Sequence, residues 1–326
     1  MRLRYQGLFR WVVLIIVVGL IALVIIKREW ICDFWRGVSY EPSDEIVRIR
    51  EELDLADYGA FLFNASQPVL SSRDEFNEKC RFERDEEEAI LGCYSDKDIY
   101  VYNITDKELD GVRECTMAHE LLHAVWRRMN ENEQNEYEDL LSLVYEQNEE
   151  FLKDELDVYG VHERAEELYV RAGTEVKSLP TELERHFATI FRDQDKVVSY
   201  YDKYISVFRE LKAELDRLKT EMDELESTIK SKEADYAQRV AQLNAEIEEF
   251  NQCAETAGCF ASQWIFNQRR NVLVNEQVAL ETLYEEISVL VNEYNLKVDK
   301  YNEDVLSSNK LNQMINSTTQ VEELGQ

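Results

Sequence analysis

The chain has 326 residues, of which 67 are acidic and 37 are basic, so its formal net charge at pH 7 is −30. A charge of this sign argues against nucleic acid or an anionic membrane surface as the binding partner, because both are negatively charged. The length suffices for more than one domain. All three prolines lie at or before Pro180, and their absence from the rest of the chain favours long, uninterrupted helices there.

The first element is an apolar segment, residues 8–26, in which Arg10 is the only charged residue. A helix of about 19 residues is long enough to span a bilayer. Basic residues lie on both sides of the segment, and their distribution favours a cytoplasmic N-terminus. We therefore predict that residues 1–30 form a cytoplasmic N-terminus and a single-pass anchor in the cell membrane, with the bulk of the chain extracytoplasmic. A cleaved signal peptide is the alternative, although no small-x-small cleavage site follows the segment.

Residues 40–195 are predicted to form a globular domain that contains both strands and helices. Three segments have the apolar and β-branched or aromatic composition of strands, namely residues 60–63, 89–94 and 99–104. The turn at residues 95–98 is expected to join the last two strands into a hairpin.

Helices are predicted on both sides of these strands. Ser43 and Asp44 are candidate N-caps for a first helix. Residues 140–156 follow the 3.6-residue period of a second helix. Another helix is expected to run from His162 to Gly173, because a glycine at this position is typical of a helix end.

The stretch with the clearest chemistry is residues 116–125, TMAHELLHAV. On a helix, His119 and His123 lie one turn apart on the same face, so both imidazoles can bind one zinc ion, with Glu120 beside it. The surrounding residues are uncharged, which is typical of a helix that is buried in a core and exposes only its ligand face. The chain has four histidines in all, so a chance match to this pattern is improbable. The stretch therefore predicts a zinc site with its own base.

This HExxH stretch resembles that of the zincin metallopeptidases over about ten residues. The resemblance implies an α+β zincin-like catalytic domain at residues 40–195 that binds one Zn²⁺ per chain. It implies that Glu120 acts as the general base toward a zinc-bound water and that the substrate is a peptide or protein. It also implies that the strand before the motif, Tyr100 to Ile104, is an edge strand that pairs with the substrate backbone. An ordinary hairpin strand is the alternative.

Zinc needs a third protein ligand, and the sequence leaves several candidates. Position 129 is Met129, which excludes the metzincin type with its third histidine at that spacing. The type with a glutamate ligand remains. Glu167 resembles the helical glutamate of the thermolysin-like enzymes and is the first candidate, and Glu175 in a Gly-Thr-Glu sequence is the second. The further alternatives are His162, Glu182 and His186.

The same resemblance implies a side chain that donates a hydrogen bond to the oxyanion formed during peptide hydrolysis. His186 and Tyr169 are the candidates for this role. The alternative for His186 is an ordinary packed or surface histidine.

Cysteine spacing predicts two local disulfides. The predicted pairs are Cys80 with Cys93 and Cys253 with Cys259, although spacing alone does not fix connectivity. Disulfides persist in oxidising compartments, which agrees with a location outside the cytoplasm. The remaining cysteines are Cys32 and Cys115.

Residues 196–311 are predicted to form an antiparallel coiled-coil hairpin with its tip at residues 253–259. Apolar residues recur at alternating steps of three and four across residues 201–250, and a second seam of this kind covers residues 280–305. A parallel homodimer is the alternative. The hairpin is expected to serve either as a spacer or as an arm that binds a partner or a second copy. The polar residues 312–326 are predicted to be a disordered tail.

Together these features predict a membrane-anchored, extracytoplasmic zinc metallopeptidase with His119 and His123 as ligands and Glu120 as base. Two other hypotheses remain open. In one, the zincin-like domain is catalytically inert and the chain is a scaffold or binding protein of the cell envelope that acts through its coiled coil. In the other, the zinc is purely structural and has four protein ligands and no bound water.

Overall fold

The computed structural model describes residues 27–81, 90–157 and 159–317. This part of the chain divides into two compact units. The first contains the described residues up to Val207 together with those from Leu311 onward, and the second is Phe208–Lys310. The structure is mostly helical, with a small sheet and a pair of long helices. The prediction of helices and strands followed by a long helix pair is therefore confirmed at this level.

The first unit contains a series of short helices and three strands. In chain order the elements are α1 (Arg28–Ser39), α2 (Asp44–Glu52), α3 (Asp57–Ala65), β1 (Val69–Ser71), α4 (Arg73–Lys79), β2 (Gly92–Ser95), β3 (Asp98–Tyr102), a 3-10 turn (Lys107–Leu109), α5 (Val112–Trp126), α6 (Glu131–Gln147), α7 (Glu149–Leu156), α8 (Val161–Glu175) and α9 (Thr181–Phe187). The two long helices are α10 (Gln194–Glu255) and α11 (Gln263–Ile315). The predicted N-cap at Ser43 is present, since its side chain accepts a hydrogen bond from the Ile46 amide.

The sheet has the order β1-β3-β2, with β1 parallel and β2 antiparallel to β3. The predicted hairpin is thus formed by β2 and β3. Its two central turn residues, Asp96 and Lys97, have positive φ angles of 52° and 71°, as in the type I′ turn that matches the twist of a two-residue hairpin. Because β3 is paired on both sides, the prediction that Tyr100 to Ile104 is an edge strand is wrong. Among the described strands, β1 and β2 form the two edges of the sheet.

The predicted strand at residues 60–63 is also wrong, since these residues lie within helix α3. A short apolar run fits a buried helix as well as a buried strand, and periodicity alone does not separate the two. Helix α8 likewise does not end at Gly173 but continues to Glu175. A Cβ atom at Gly173 would lie 2.4 Å from Cδ1 of Leu122 and 2.6 Å from Cε1 of Phe187, so this glycine allows close helix packing.

Helix α5, which carries the HExxH motif, lies at the centre of the first unit and packs against α8 and the sheet. Its apolar residues are buried: Met117, Ala118, Leu121, Leu122, Ala124 and Val125 are all 0% exposed. Each buried side chain of the size of leucine stabilises the fold by about 1.5–3 kcal/mol. The expectation of a core helix that exposes only one face is therefore confirmed.

The second unit is an antiparallel helical hairpin, as predicted. Ion pairs join the two arms: Glu221 with Lys297, Lys232 with Glu286, and Arg239 with Glu276. The residue number on α11 falls as the residue number on α10 rises, which is the pattern of two antiparallel helices. Both predicted disulfides are formed, the second at the tip between Cys253 and Cys259.

The predicted disordered tail is wrong for its first residues. Helix α11 continues to Ile315, and Ser317 is 0% exposed. The Asn77 amide donates to the Ser317 carbonyl at 2.8 Å, and the Ser317 hydroxyl donates to the Ile90 carbonyl at 3.2 Å. The polar composition of this segment gave no indication of these contacts with residues far away in the chain. Residues 318–326 lie outside the described part of the chain.

The prediction of a membrane anchor is corrected. The predicted span, residues 8–26, lies outside the described residues. No helix within residues 27–81, 90–157 or 159–317 is both long and apolar enough to cross a bilayer. The longest helices, α10 and α11, carry charged side chains throughout. The predictions of a transmembrane helix and of a single-pass location in the cell membrane are therefore withdrawn.

Candidate metal centre

The two motif histidines lie side by side on one face of α5. Their ring centroids are 5.0 Å apart, and the side chains of His119 and His123 are 21% and 15% exposed. Apart from Arg113, the other residues of α5 are buried, so the histidine face is one of the few parts of this helix that solvent reaches. The one-turn spacing in the sequence thus places both imidazoles together, as predicted.

Helix α8 brings Glu167 to the same place. Its Oε1 lies 3.7 Å from Nε2 of His119, and its Oε2 lies 3.6 Å from Nε2 of His123. One ligand atom from each of the three residues falls within 4.8 Å of the others. Ligand atoms about 2.0–2.1 Å from a tetrahedral zinc are about 3.4 Å apart. The two separations from Glu167 are close to this value, so the three residues form a group that could hold a metal ion.

A second carboxylate contacts the other ring nitrogen of His123. Nδ1 of His123 lies 2.7 Å from Oε1 of Glu166, and the same oxygen accepts a 2.8 Å hydrogen bond from Nε of Arg127. When Nδ1–H donates to a carboxylate, Nε2 is left unprotonated and pointed at the metal. Arg127 also donates through Nη1 to the carbonyl of Tyr94 in β2 at 2.9 Å. A chain of hydrogen bonds through Glu166 and Arg127 thus connects His123 to the sheet.

An arginine separates Glu167 from the second candidate ligand. Arg171 donates to Oε1 of Glu167 at 2.7 Å and to both oxygens of Glu175 at 3.2 and 3.3 Å. The side chains of Glu167 and Glu175 are 5% and 6% exposed, and Arg171 forms an ion pair with each of them. Glu175 lies outside the group of possible ligands, whereas Glu167 lies within it.

Burial and charge favour the metal-binding protonation states of two of the three residues, His119 and Glu167. Burial lowers the pKa of His119 to about 3, although the Glu167 carboxylate opposes the shift. Burial alone would raise the pKa of Glu167, but His119 and Arg171 outweigh it and hold that pKa below the usual value. At neutral pH, His119 is therefore a neutral imidazole and Glu167 is an ionised carboxylate.

Glu120 is buried between α5 and β2, where it is 5% exposed. It lies directly against Gly92: a Cβ atom at Gly92 would be 2.5 Å from Oε1 of Glu120 and 2.6 Å from Cγ2 of Thr116. Glycine is therefore required here for the strand to approach the helix so closely. Burial alone would lower the pKa of His123, but its hydrogen bond to Glu166 and the charge of Glu120 outweigh burial and raise that pKa above its usual value.

The two predicted oxyanion donors, Tyr169 and His186, contact each other. Tyr169 is 0% exposed, and its hydroxyl is 2.7 Å from Nε2 of His186. The other ring nitrogen, Nδ1, is 3.1 Å from the hydroxyl of Tyr137. Two residues beyond Glu167, Tyr169 points about 200° around the helix from it. His186 therefore belongs to a buried tyrosine network, which is the alternative interpretation for this residue.

The remaining ligand candidates do not join the group. Glu182 is exposed on α9, and the side chain of His162 lies outside the described residues. Sequence reasoning missed the supporting residues Glu166, Arg127, Arg171 and Gly92. The sequence could have indicated two of them, since Glu166 is adjacent to Glu167, and Arg171 lies one helical turn after Glu167.

In comparisons with known proteins, no family model, no curated protein and no solved structure matches the chain. The resemblance to zincins therefore depends on the residues around HExxH, and membership of that family stays a prediction.

Proposed function

We propose that this chain is a zinc-dependent peptidase in which His119, His123 and Glu167 bind the metal and Glu120 is the general base. The observation that supports it most is the convergence of the HExxH histidines with a buried glutamate from a different helix. Three protein ligands leave a fourth coordination position for water or substrate, as in catalytic zinc sites. A structural site would have a fourth protein ligand, and the group of possible ligands has three members among the described residues.

A bound zinc lowers the pKa of a coordinated water toward neutrality and polarises a carbonyl group. Glu120 would serve as the base that accepts a proton from the attacking water and would return it to the nitrogen of the leaving amine as the C–N bond breaks. Burial against Gly92 restricts the carboxylate to a small range of positions. Glu166 and Arg171 orient His123 and Glu167, respectively, through the hydrogen bonds described above.

The edge of β2 that faces away from β3 is the proposed site for an extended peptide. The amide of Tyr102 donates to the carbonyl of Leu91, so in the antiparallel ladder the backbone groups of Gly92 and Tyr94 point away from β3. The Tyr94 carbonyl is bound by Arg127, whereas no described strand pairs with Gly92 on that side. A substrate strand hydrogen-bonded to Gly92 would pass beside Glu120. This arrangement supports a peptide as the substrate class.

The test has two steps and uses the purified chain with its disulfides intact. Zinc content is measured by elemental mass spectrometry for the wild type, His119→Ala and Glu120→Gln. Cleavage of a mixed peptide library is then followed by mass spectrometry. We expect about one zinc per chain in the wild type and in Glu120→Gln, little in His119→Ala, and cleavage by the wild type alone.

Each result has a defined meaning. Zinc-free wild type with a native circular dichroism spectrum would overturn the proposed metal site. Zinc binding with equal cleavage by wild type and Glu120→Gln would overturn the role of Glu120. Zinc binding without cleavage of any library peptide would favour the inert, zincin-like binding protein.

A further inference from the structure

Strand β2 contacts different parts of the first unit through its two faces. Gly92 faces α5, where a Cβ atom would meet Oε1 of Glu120. Because successive residues of a strand point to opposite faces, Cys93 points away from α5. Its sulfur forms a disulfide with Cys80, at the end of α4. The position of Gly92 against Glu120 therefore depends on the contacts that hold the far face of β2.

A small hydrophobic cluster lies on this far face. Its members come from α4, from β3 and from the residues that form or precede β2: Phe76, Cys80, Ile90, Cys93, Tyr100 and Tyr102. The cluster is separate from the main core of the first unit, which contains most of α5. Because it buries few side chains, it provides less hydrophobic stabilisation than the main core. Hydrogen bonds at its border therefore matter for the position of β2.

Ser317 connects this cluster to the start of β2. Its hydroxyl donates to the carbonyl of Ile90, two residues before Gly92, at 3.2 Å. Its own carbonyl accepts a 2.8 Å hydrogen bond from the side-chain amide of Asn77, which lies on α4. Ser317 is 0% exposed and Leu311 is 3% exposed, and both belong to the first unit. One buried serine thus connects α4 to the residues that lead into β2.

Loss of the Ser317 hydroxyl would change this end of β2. A carbonyl that loses a hydrogen-bond partner away from bulk water costs free energy, so the segment around Ile90 would move to find another. The carbonyl of Leu91, the next residue, accepts an amide of β3, so this movement acts directly on the ladder between β2 and β3. Gly92 follows and contacts the Glu120 carboxylate. A displacement of about 1 Å at a catalytic group can lower a rate about 100-fold.

We propose that Ser317 is a positioning residue for Glu120. By connecting Ile90 to α4, it fixes the distance between Gly92 and α5 and so the place of the Glu120 carboxylate. The consequence for catalysis rests on the proposed peptidase function, whereas the connection between Ser317 and β2 does not.

The test uses full-length variants that each remove one hydrogen bond. Ser317→Ala removes the donor to the Ile90 carbonyl, and Asn77→Ala removes the donor to the Ser317 carbonyl. The matched control is Asn148→Ala. It also removes a 2.8 Å hydrogen bond from a side-chain amide to a carbonyl, that of Val144, but between α6 and α7.

Two kinds of measurement are made on each protein. Hydrogen exchange followed by mass spectrometry reports how often the backbone amides of residues 90–95 open, and it requires no activity. Zinc content, kcat and KM are then measured with a library peptide that the wild type cleaves. Circular dichroism confirms that each variant is folded at the assay temperature.

We expect Ser317→Ala and Asn77→Ala to raise exchange in residues 90–95 at least about threefold, the order expected for the loss of one hydrogen bond. Zinc content should not change, because the proposed ligands lie on α5 and α8. For both variants, kcat should fall at least about threefold and by a larger factor than KM changes, since Glu120 acts in the transition state. Asn148→Ala should match the wild type in kcat and in exchange at residues 90–95.

Other results overturn the proposal. Unchanged exchange at residues 90–95 in both variants would show that Ser317 does not hold β2. Raised exchange with an unchanged kcat would show that Ser317 holds the strand without positioning Glu120. An equal fall of kcat in Asn148→Ala would indicate general destabilisation. If the wild type cleaves no peptide, the proposed function fails by itself, and the exchange data alone decide whether Ser317 fixes β2.

Discussion

His123 and Glu166 are joined by a hydrogen bond of 2.7 Å between Nδ1 and Oε1. The bond connects α5 to α8 and fixes which nitrogen of His123 is presented to the proposed metal position. Arg127 holds the same carboxylate oxygen and the Tyr94 carbonyl. The orientation of a proposed ligand thus depends on a residue that has no contact with the metal.

The first prediction concerns this bond. Glu166→Gln should lower zinc affinity about 10–100-fold, the usual cost of losing the carboxylate partner of a histidine ligand. Affinity is measured by competition with a chromophoric chelator. Glu182→Gln, which removes an exposed carboxylate on α9, is the control and should bind zinc as the wild type does. Equal affinity of Glu166→Gln and wild type would remove Glu166 from the site.

The second prediction separates the two candidate ligands. Glu167→Gln should abolish high-affinity zinc binding, because it replaces an anionic ligand with a neutral amide. Glu175→Gln should retain it, because Arg171 remains bonded to Glu167. Both substitutions preserve shape, so circular dichroism should show folded protein in each case. Loss of zinc in Glu175→Gln with retention in Glu167→Gln would reverse the assignment.

The third prediction concerns the contact between β2 and α5. In Gly92→Ala the new methyl group would meet Oε1 of Glu120 at 2.5 Å, so the strand and the carboxylate must move apart. We expect a loss of about 1–3 kcal/mol in the free energy of unfolding, as for overpacking in a core. Peptide cleavage should fall more than zinc content does, since the ligands lie on helices. Both are measured on the same preparation.

The control for this variant is Gly37→Ala in helix α1. The nearest atoms to a Cβ atom there are 3.5 Å away, which is ordinary van der Waals contact, and alanine favours a helix over glycine. Its stability should equal or exceed that of the wild type in urea unfolding. A Gly92→Ala protein that behaves like this control would contradict the close contact.

The fourth prediction is a pH dependence of stability. Burial lowers the pKa of His186 to about 4 from its usual value of 6.5. Between these two values the unfolded chain binds a proton that the folded chain excludes, so folding stability decreases as the pH falls through this window. A single such group contributes at most about 1.4 kcal/mol per pH unit.

The measurement is the free energy of unfolding in urea between pH 7 and pH 4 for the wild type and His186→Gln. Many carboxylates titrate in the same range, so the difference between the two proteins is the relevant quantity. That difference should change in favour of the variant as the pH falls. Parallel curves for the two proteins would show that His186 is not a buried neutral histidine.

The sequence by itself determined the features that depend on local spacing. Two histidines four residues apart on a helix must share a face, whatever surrounds them, so His119, Glu120 and His123 could be named in advance. Heptad spacing likewise predicted the long hairpin, and cysteine spacing predicted its disulfide between Cys253 and Cys259. These patterns act through neighbours in the chain.

Only the tertiary structure decided which distant residues meet the motif. The packing of α8 on α5 selects Glu167 rather than Glu175, and it turns Tyr169 into the core, away from the proposed metal position. Sheet order places β3 between the edge strands β1 and β2, and the packing of β2 on α5 brings Gly92 against Glu120. These relationships depend on packing between segments far apart in the chain. Many acidic residues have similar local sequences, and among the described ones Glu167 joins the two histidines.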